Sequence, residues 1–195
     1  MTSRRSAGVL LMGRSGSGKT RIQRRLVNEH GFWAPLHVTT RPVNDTDFAT
    51  VSETESNFLA AVESGEIAAP MRFGGSWHAW RTEDLRRLCH GEERAVAVCR
   101  PYEALLLSAL QPRLVPVWLS APAPLIAERL QARANERDAG GPQTVERRRD
   151  DDEDERYRPF FRDVIASERD AVADILRLVG GREATLAGSD AADGR

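Results

Sequence analysis

Gly13-Arg14-Ser15-Gly16-Ser17-Gly18-Lys19-Thr20 matches the spacing Gly-x-x-x-x-Gly-Lys-Ser/Thr without a gap. The apolar segment 9–12 before it is long enough for one buried strand, and the segment 21–27 after it has apolar residues at helical spacing. The motif therefore lies between a predicted strand and a predicted helix, which is the usual context of a phosphate-binding loop. A glycine-rich turn that binds nothing is the alternative, and the agreement of spacing with context disfavours it.

The three glycines of this loop allow backbone conformations with positive φ and a close approach to an anion. Successive backbone N–H groups at 15–20 can then converge on phosphate oxygens, and the following helix adds the positive end of its dipole. We expect Lys19, the one lysine of the chain, to contact the β- and γ-phosphates of a nucleotide. We expect the Thr20 hydroxyl to hold Mg²⁺.

The composition limits the partners of the chain. A length of 195 residues fits one domain, with or without a mobile lid, and a hydrophobic fraction of 41% can fill a core. The formal net charge is −1 and the arginines alternate with acids, so we expect no nucleic-acid partner. No apolar run approaches the ~18 residues of a membrane span, and segment 1–8 lacks a secretory apolar region. We therefore expect a cytoplasmic protein that does not bind membranes.

Strand and helix patterns alternate along the rest of the chain. Apolar runs predict strands at 8–12, 36–39, 95–99, 114–119 and 160–165, and a hairpin at 66–80. Helical patterns lie between most of them. This alternation around a phosphate-binding loop predicts a three-layer α/β P-loop fold with a mainly parallel sheet. Pro116 argues against a central position for the strand at 114–119, because proline cannot donate to a ladder.

Three local patterns give further predictions. Ser52-Glu53-Thr54-Glu55 is typical of a capping box, and it predicts a helix that ends at Ser64-Gly65. The acids at 150–154 are interpreted as a solvated helix face. The closing helix is predicted to end at Gly180-Gly181, and the segment 182–195, rich in Ala, Gly and Asp, is predicted to be a disordered tail.

The chain resembles the guanylate-kinase-like branch of the P-loop nucleoside-monophosphate-kinase superfamily over roughly residues 8–179. The resemblance rests on the phosphate-binding loop together with Val38-Thr39-Thr40-Arg41-Pro42, because guanylate kinases have Ser/Thr-Thr-Arg-x-Pro at that distance. It implies that Arg41 binds a phosphate of the acceptor. It also implies an ATP-dependent phosphotransferase that uses ATP and Mg²⁺, with a mobile lid whose Arg133 and Arg148 reach the transferring phosphoryl group.

The resemblance also implies the domain organisation and the site residues. One domain would span 1–181, with an acceptor subdomain at about 36–82 and a lid at about 133–156. The predicted catalytic residues are Lys19, Arg41, Arg133 and Arg148, the cofactor-binding residues are Gly13, Arg14, Ser15, Gly16, Ser17, Gly18, Lys19 and Thr20, and the metal ligand is Thr20. Arg41 could instead be a surface arginine beside a turn. Arg133 and Arg148 could form ion pairs on a solvated helix, because acids surround both.

Several guanylate-kinase signatures are absent. Trp77-His78-Ala79 stands where the family has Tyr-Tyr-Gly, Ala97-Val98-Cys99 stands where it has Asp-Ile-Asp, and the connection 43–47 is several residues shorter. The groups that would read guanine and one carboxylate near Mg²⁺ are therefore missing, which makes GMP a poor acceptor. Ribose 1,5-bisphosphate phosphokinase, in the same branch, shares the shortened connection and lacks the Asp-x-Asp strand end. In these respects the chain looks nearer to that family.

Three hypotheses follow for the function. The preferred one is an ATP-dependent kinase that phosphorylates a small phosphorylated acceptor, such as ribose 1,5-bisphosphate or a nucleoside monophosphate. The second is a non-catalytic guanylate-kinase-like module for nucleotide binding or protein interaction, which the missing aspartates favour and the intact Lys19 and Thr20 oppose. The third is a P-loop enzyme that acts on a hydroxyl group. The effect of an Arg41→Ala substitution on acceptor affinity separates the first from the third.

Overall fold

The structure is a computed structural model, and it describes residues 7–43, 47–136, 143–166 and 170–192. The strands are β1 Gly8–Met12, β2 His37–Thr39, β3 Thr50–Ser52, β4 Ile67–Phe73, β5 Ser76–Arg81, β6 Val96–Val98, β7 Leu114–Ser120 and β8 Val164–Ala166. The α-helices are α1 Lys19–His30, α2 Glu55–Glu63, α3 Thr82–His90, α4 Pro101–Leu110, α5 Ala123–Glu136, α6 Gln143–Glu155 and α7 Ala171–Ala192. A short 3₁₀ helix spans Arg158–Phe160. Within these ranges, no helix carries an apolar stretch long enough to cross a bilayer.

The main sheet has the strand order β6-β1-β7-β8, and all of its pairs are parallel. Side chains along β1 alternate between two cores: Val9 and Leu11 pack with residues of α1 and α7, whereas Leu10 and Met12 pack with residues of α3 and α4. Apolar residues are therefore buried on both faces of the sheet. The predicted α/β fold, with helices on both faces of a parallel sheet, is confirmed.

Pro116 lies in an interior strand, contrary to the objection raised by the sequence. β7 pairs with β1 along its length, with Leu10 opposite Pro116, but it pairs with β8 only from Trp118 onward. The Trp118 N–H points to the β8 side, where it donates to the Asp163 carbonyl at 2.9 Å. The nitrogen of Pro116, two residues earlier, faces the same side before β8 begins. The proline therefore removes no hydrogen bond from the ladder.

A second sheet has the order β3-β2-β5-β4 and lies between residues 37 and 81 of the chain. β4 and β5 form the predicted antiparallel hairpin, and Gly74 and Gly75 turn it with φ of 57° and 80°. Helix α2 covers this sheet and buries Phe58 completely. The predicted capping position was wrong by two residues: Thr54, not Ser52, is the N-cap and accepts the backbone N–H of Asn57 at 3.2 Å. Ser52 instead ends β3.

The chain end differs from its prediction. Helix α7 does not end at Gly180-Gly181 but continues to Ala192, so the segment 182–192 is helical in the structure. The Arg182 guanidinium donates to the Pro112 carbonyl at 2.9 Å, and the Glu183 carboxylate pairs with Arg94 at 2.7 Å. These contacts tie the first two residues of the additional helical segment to the body of the protein. They are long-range interactions, which explains why a composition rich in Ala, Gly and Asp predicted disorder instead.

Candidate functional site

The loop after β1 has the conformation that its glycines predict. Gly13, Gly16 and Gly18 have φ of 131°, 85° and 97°. A Cβ added at Gly13 would lie 2.3 Å from the Leu119 carbonyl oxygen of β7. The main sheet therefore comes so close to the loop that only glycine fits at this position.

The lysine of the motif lies across the loop. Lys19 Nζ donates to the Gly13 carbonyl at 2.6 Å and to the Arg14 carbonyl at 3.0 Å. Ser17 is fully buried in the same loop, and its Oγ has no hydrogen-bond partner in the structure. The glycines allow the loop backbone to approach a phosphate chain closely, and Lys19 and the N-terminal end of α1 provide the positive charge to bind it. In the described part of the chain, no group of three or more His, Cys, Asp or Glu side chains could hold a metal.

One cavity joins this loop to the second sheet, and its volume is about 210 Å³. From the loop and α1 it is lined by Gly13, Ser15, Gly16, Gly18, Lys19, Thr20 and Gln23. From the second sheet and its connections it is lined by His37, Arg41, Asp47, Phe48, Met71, Phe73, His78 and Trp80. Three of the predicted site residues, Lys19, Thr20 and Arg41, therefore line one cavity. Lys19 and Thr20 follow a strand of the main sheet, and Arg41 follows a strand of the second sheet.

Arg41 is already paired with a carboxylate. Its two terminal nitrogens donate to the two oxygens of Asp47 at 2.9 and 2.5 Å. Both side chains are mostly buried, with 14% and 15% of their surface exposed. This two-point contact fixes the orientation of the guanidinium and engages both of its terminal nitrogens. Arg41 is thus not a freely solvated surface arginine, although its contact with an acceptor phosphate remains a prediction.

Two imidazoles form part of the cavity wall. The rings of His37 and His78 stack with centroids 5.2 Å apart, and the Trp80 ring lies edge-on to His37 at the same distance. His78 Nε2 lies 3.2 Å from the Phe73 carbonyl oxygen across the hairpin. Burial, together with the nearby His78 and the Arg41 guanidinium, lowers the pKa of His37 to about 3. His37 is therefore neutral at physiological pH. His78 both packs in the hairpin and lines the cavity.

Arg100 also lines the cavity, and the sequence analysis missed it. It lies two residues after β6, at the carboxyl edge of the main sheet, where parallel strands place their functional residues. Its Nε and one terminal nitrogen donate to Asp154 at 3.1 and 2.7 Å, and its guanidinium lies 4.7 Å from the centroid of the Phe73 ring. The strand end could have indicated this residue, but its orientation depends on α6 and β4.

Carboxylates line the cavity although the strand-end aspartates are absent. Glu103 caps α4 by accepting the Arg100 backbone N–H at 2.8 Å, and its other oxygen accepts Trp80 Nε1 at 3.0 Å. Burial raises the pKa of Glu103, and these hydrogen bonds oppose the change. Cys99 occupies the strand end itself, and burial raises its thiol pKa well above the usual value. The carboxylates of the cavity therefore come from helices α4 and α6 and, with Asp47, from the connection after β2.

The prediction of a solvated face for the acids of α6 is only partly right, since Asp152 and Glu153 are exposed but the other three acids are not. Asp151 and Asp154 are buried, with 6% and 9% of their surface exposed. Asp151 Oδ1 accepts the Ser15 backbone N–H at 3.1 Å and the Ser15 hydroxyl at 3.2 Å. Asp150 accepts the Gly74 N–H at 2.7 Å. Three of the five acids, Asp150, Asp151 and Asp154, thus turn toward the loop, the hairpin and Arg100, because cationic and N–H groups there provide partners that solvent would otherwise supply.

The predicted lid arginines lie in helices next to the loop. Arg133 is in α5 and Arg148 is in α6, but their side chains lie outside the described part of the structure. A different arginine of α5 makes a described contact, since Arg129 donates to the Gly16 carbonyl at 3.0 Å. The position of α5 against the loop determines this contact, which links residues far apart in the chain.

No protein-family model and no curated protein matches the chain. Among solved structures, the chain is similar to guanylate kinase from Anaplasma phagocytophilum, with a TM-score of 0.62 and 16% identity over 89% of this chain and 86% of that chain. It is also similar to shikimate kinase from Acinetobacter baumannii in complex with shikimate, with a TM-score of 0.46 and 17% identity over 90% and 94% of the two chains. At this identity the first similarity shows the fold alone: the chain has the α/β P-loop fold that guanylate kinase has.

Proposed function

We propose that the protein is an ATP-dependent phosphotransferase that adds a phosphoryl group to a small metabolite already carrying phosphate. The observation that supports this most strongly is that Lys19, Thr20 and Arg41 line the same cavity. Phosphoryl transfer depends on positioning and charge neutralisation more than on covalent catalysis. A lysine-bearing phosphate loop that faces an oriented arginine provides both.

In this proposal, different residues bind the donor, orient the acceptor and neutralise charge. The loop amides and Lys19 hold the donor phosphates, and Arg41 orients the acceptor phosphate, whose oxygen is the nucleophile. Mg²⁺, held by Thr20 and the nucleotide, would neutralise charge that develops on the transferring group. Arg133, Arg148 and the newly identified Arg100 supply further positive charge. An acceptor phosphate needs little help from a base near neutral pH, since its second pKa is about 6.

The acceptor class follows from what the cavity provides around Arg41. Phe48, Met71 and Phe73 give apolar walls, and His37 is a neutral imidazole. The polar groups by which guanylate kinases read guanine have no counterparts in the sequence. We propose ribose 1,5-bisphosphate and nucleoside monophosphates other than GMP as the acceptors to test first.

An ADP-release assay over a panel of phosphorylated sugars and nucleotides tests the proposal. At least one acceptor should stimulate ADP release by the full chain, and Lys19→Ala should remove that activity. Arg21→Ala, which changes an exposed cation of the same helix, is the matched control and should retain it. A flat panel, with wild type equal to Lys19→Ala, would reject the kinase and favour the non-catalytic module.

Arg41→Ala separates acceptors that carry phosphate from acceptors that offer a hydroxyl group. If Arg41 binds a phosphate, the acceptor KM should rise by about 10- to 100-fold, because a charge-assisted bidentate contact is lost. The KM for ATP should change much less. An unchanged acceptor KM would indicate that the nucleophile is not held through a phosphate group.

A further inference from the structure

The phosphate-binding loop already contacts an anion from within the chain. Asp151, on helix α6, accepts a hydrogen bond from the Ser15 backbone N–H, at 3.1 Å. This N–H is one of the loop donors expected to bind phosphate oxygen. The Asp151 carboxylate is buried and makes a second hydrogen bond to the Ser15 hydroxyl, at 3.2 Å. A carboxylate and a phosphate oxygen thus compete for the same donor.

Neighbouring acids hold α6 in this position. Asp152 accepts from the Arg14 guanidinium at 3.0 Å, on the loop itself. Asp154 pairs with Arg100 at 2.7 Å, and Asp150 accepts the Gly74 N–H of the hairpin at 2.7 Å. One helical turn therefore contacts the loop, the end of β6 and the acceptor-side hairpin at once.

We propose that α6 acts as an internal competitor for the nucleotide phosphates, with Asp151 as the competing group. A triphosphate would bring several negative charges to a loop already contacted by a buried carboxylate, and like charges at such short range repel strongly. Nucleotide binding therefore requires the Asp151 contact with Ser15 to break. This rests on the proposed nucleotide site, but it does not depend on the identity of the acceptor or on the transfer step.

Direct measurement of ATP binding to the full chain tests the proposal, with and without Mg²⁺. Removing the competitor in Asp151→Ala should lower the Kd for ATP by about tenfold, equivalent to about 1.4 kcal/mol. Asp151→Asn keeps the shape of the side chain without its charge and should change the Kd in the same direction by less. Glu153→Ala removes an exposed acid from the same turn of α6 and should leave the Kd unchanged.

Hydrogen exchange gives a readout that is independent of catalysis. Backbone amides at 149–155 should exchange faster in the wild-type protein when ATP is added, since α6 loses its contacts with the loop. In Asp151→Ala, the same amides should exchange faster already without ATP.

The outcomes separate this inference from the proposed function. If the wild-type protein binds ATP and Asp151→Ala binds it equally well or more weakly, the competitor role is wrong. Weaker binding that appears only with Mg²⁺ would mean that Asp151 supports the metal instead. If neither protein binds ATP under any condition, the nucleotide site and this inference both fail.

Discussion

Acidification should destabilise the protein through His37, a residue whose protonation the fold opposes. The pKa of His37 is lowered from 6.5 to about 3 by burial, by His78 and by Arg41. The unfolded chain takes up a proton below pH 6.5, whereas the folded protein does not until about pH 3. The contribution of His37 to stability is therefore fully present above pH 6.5 and is lost progressively as the pH falls toward 3.

The size of the effect follows from the same values. Each pH unit below the unfolded-state pKa lowers the free energy of unfolding by about 1.4 kcal/mol, so the loss between pH 8 and pH 5 is about 2 kcal/mol. This is an upper value, because one side of His37 faces the cavity, where water can moderate the shift. His37→Phe keeps an aromatic ring against His78 and Trp80 but cannot be protonated.

Urea unfolding at pH 8 and at pH 5 measures the difference. The wild-type protein should lose about 2 kcal/mol more of its unfolding free energy than His37→Phe over this interval. His90→Phe, at the exposed end of α3, should follow the wild type and serves as the control. Equal pH dependence in wild type and His37→Phe would refute the reasoning, because it would show that His37 is protonated as easily in the folded state as in the unfolded state.

Three further predictions concern the loop, a helix start and the chain end. Gly13→Ala should abolish ATP-dependent thermal protection, because its Cβ would lie 2.3 Å from the Leu119 carbonyl oxygen; retained protection would contradict the tight packing. Thr54→Ala should cost about 1 kcal/mol in urea unfolding, since it removes the N-cap of α2. Glu183→Gln should lower the free energy of urea unfolding by about 0.5 kcal/mol, because it breaks the pair with Arg94. Adding Arg94→Gln should cause no further loss. An unchanged stability in Glu183→Gln would indicate that the segment after residue 181 is detached.

The conformation of the glycine-rich loop could be predicted because its determinants are adjacent in the sequence. Local conformational preferences account for the positive φ of Gly13 and for the start of α1 at Lys19. The alternation of buried strands with helices was equally visible, because hydrophobic periodicity reports which faces meet the core. The parallel sheet and its two apolar layers therefore agreed with the prediction.

Other features depended on where distant segments meet. Pro116 looked unfavourable in a central strand, and only the late start of β8 removes the objection. The acids of α6 looked solvated, since nothing in their own sequence names the Ser15 N–H or Arg100 as partners. The last helix was predicted to end at Gly180-Gly181, but it continues beyond them, and Glu183 in the continuation pairs with the distant Arg94.

The sequence by itself determined the conformation of the glycine-rich loop, the layered α/β fold and the hairpin, because each follows from patterns among residues that are close together in the chain. The tertiary structure alone decided that Arg100 lines the same cavity as Lys19 and Arg41, and that Asp151 contacts the loop. These juxtapositions join segments more than 20 residues apart in the chain. Hydrophobic periodicity and backbone preference act locally, so they specify which elements form but not which side chains meet between them.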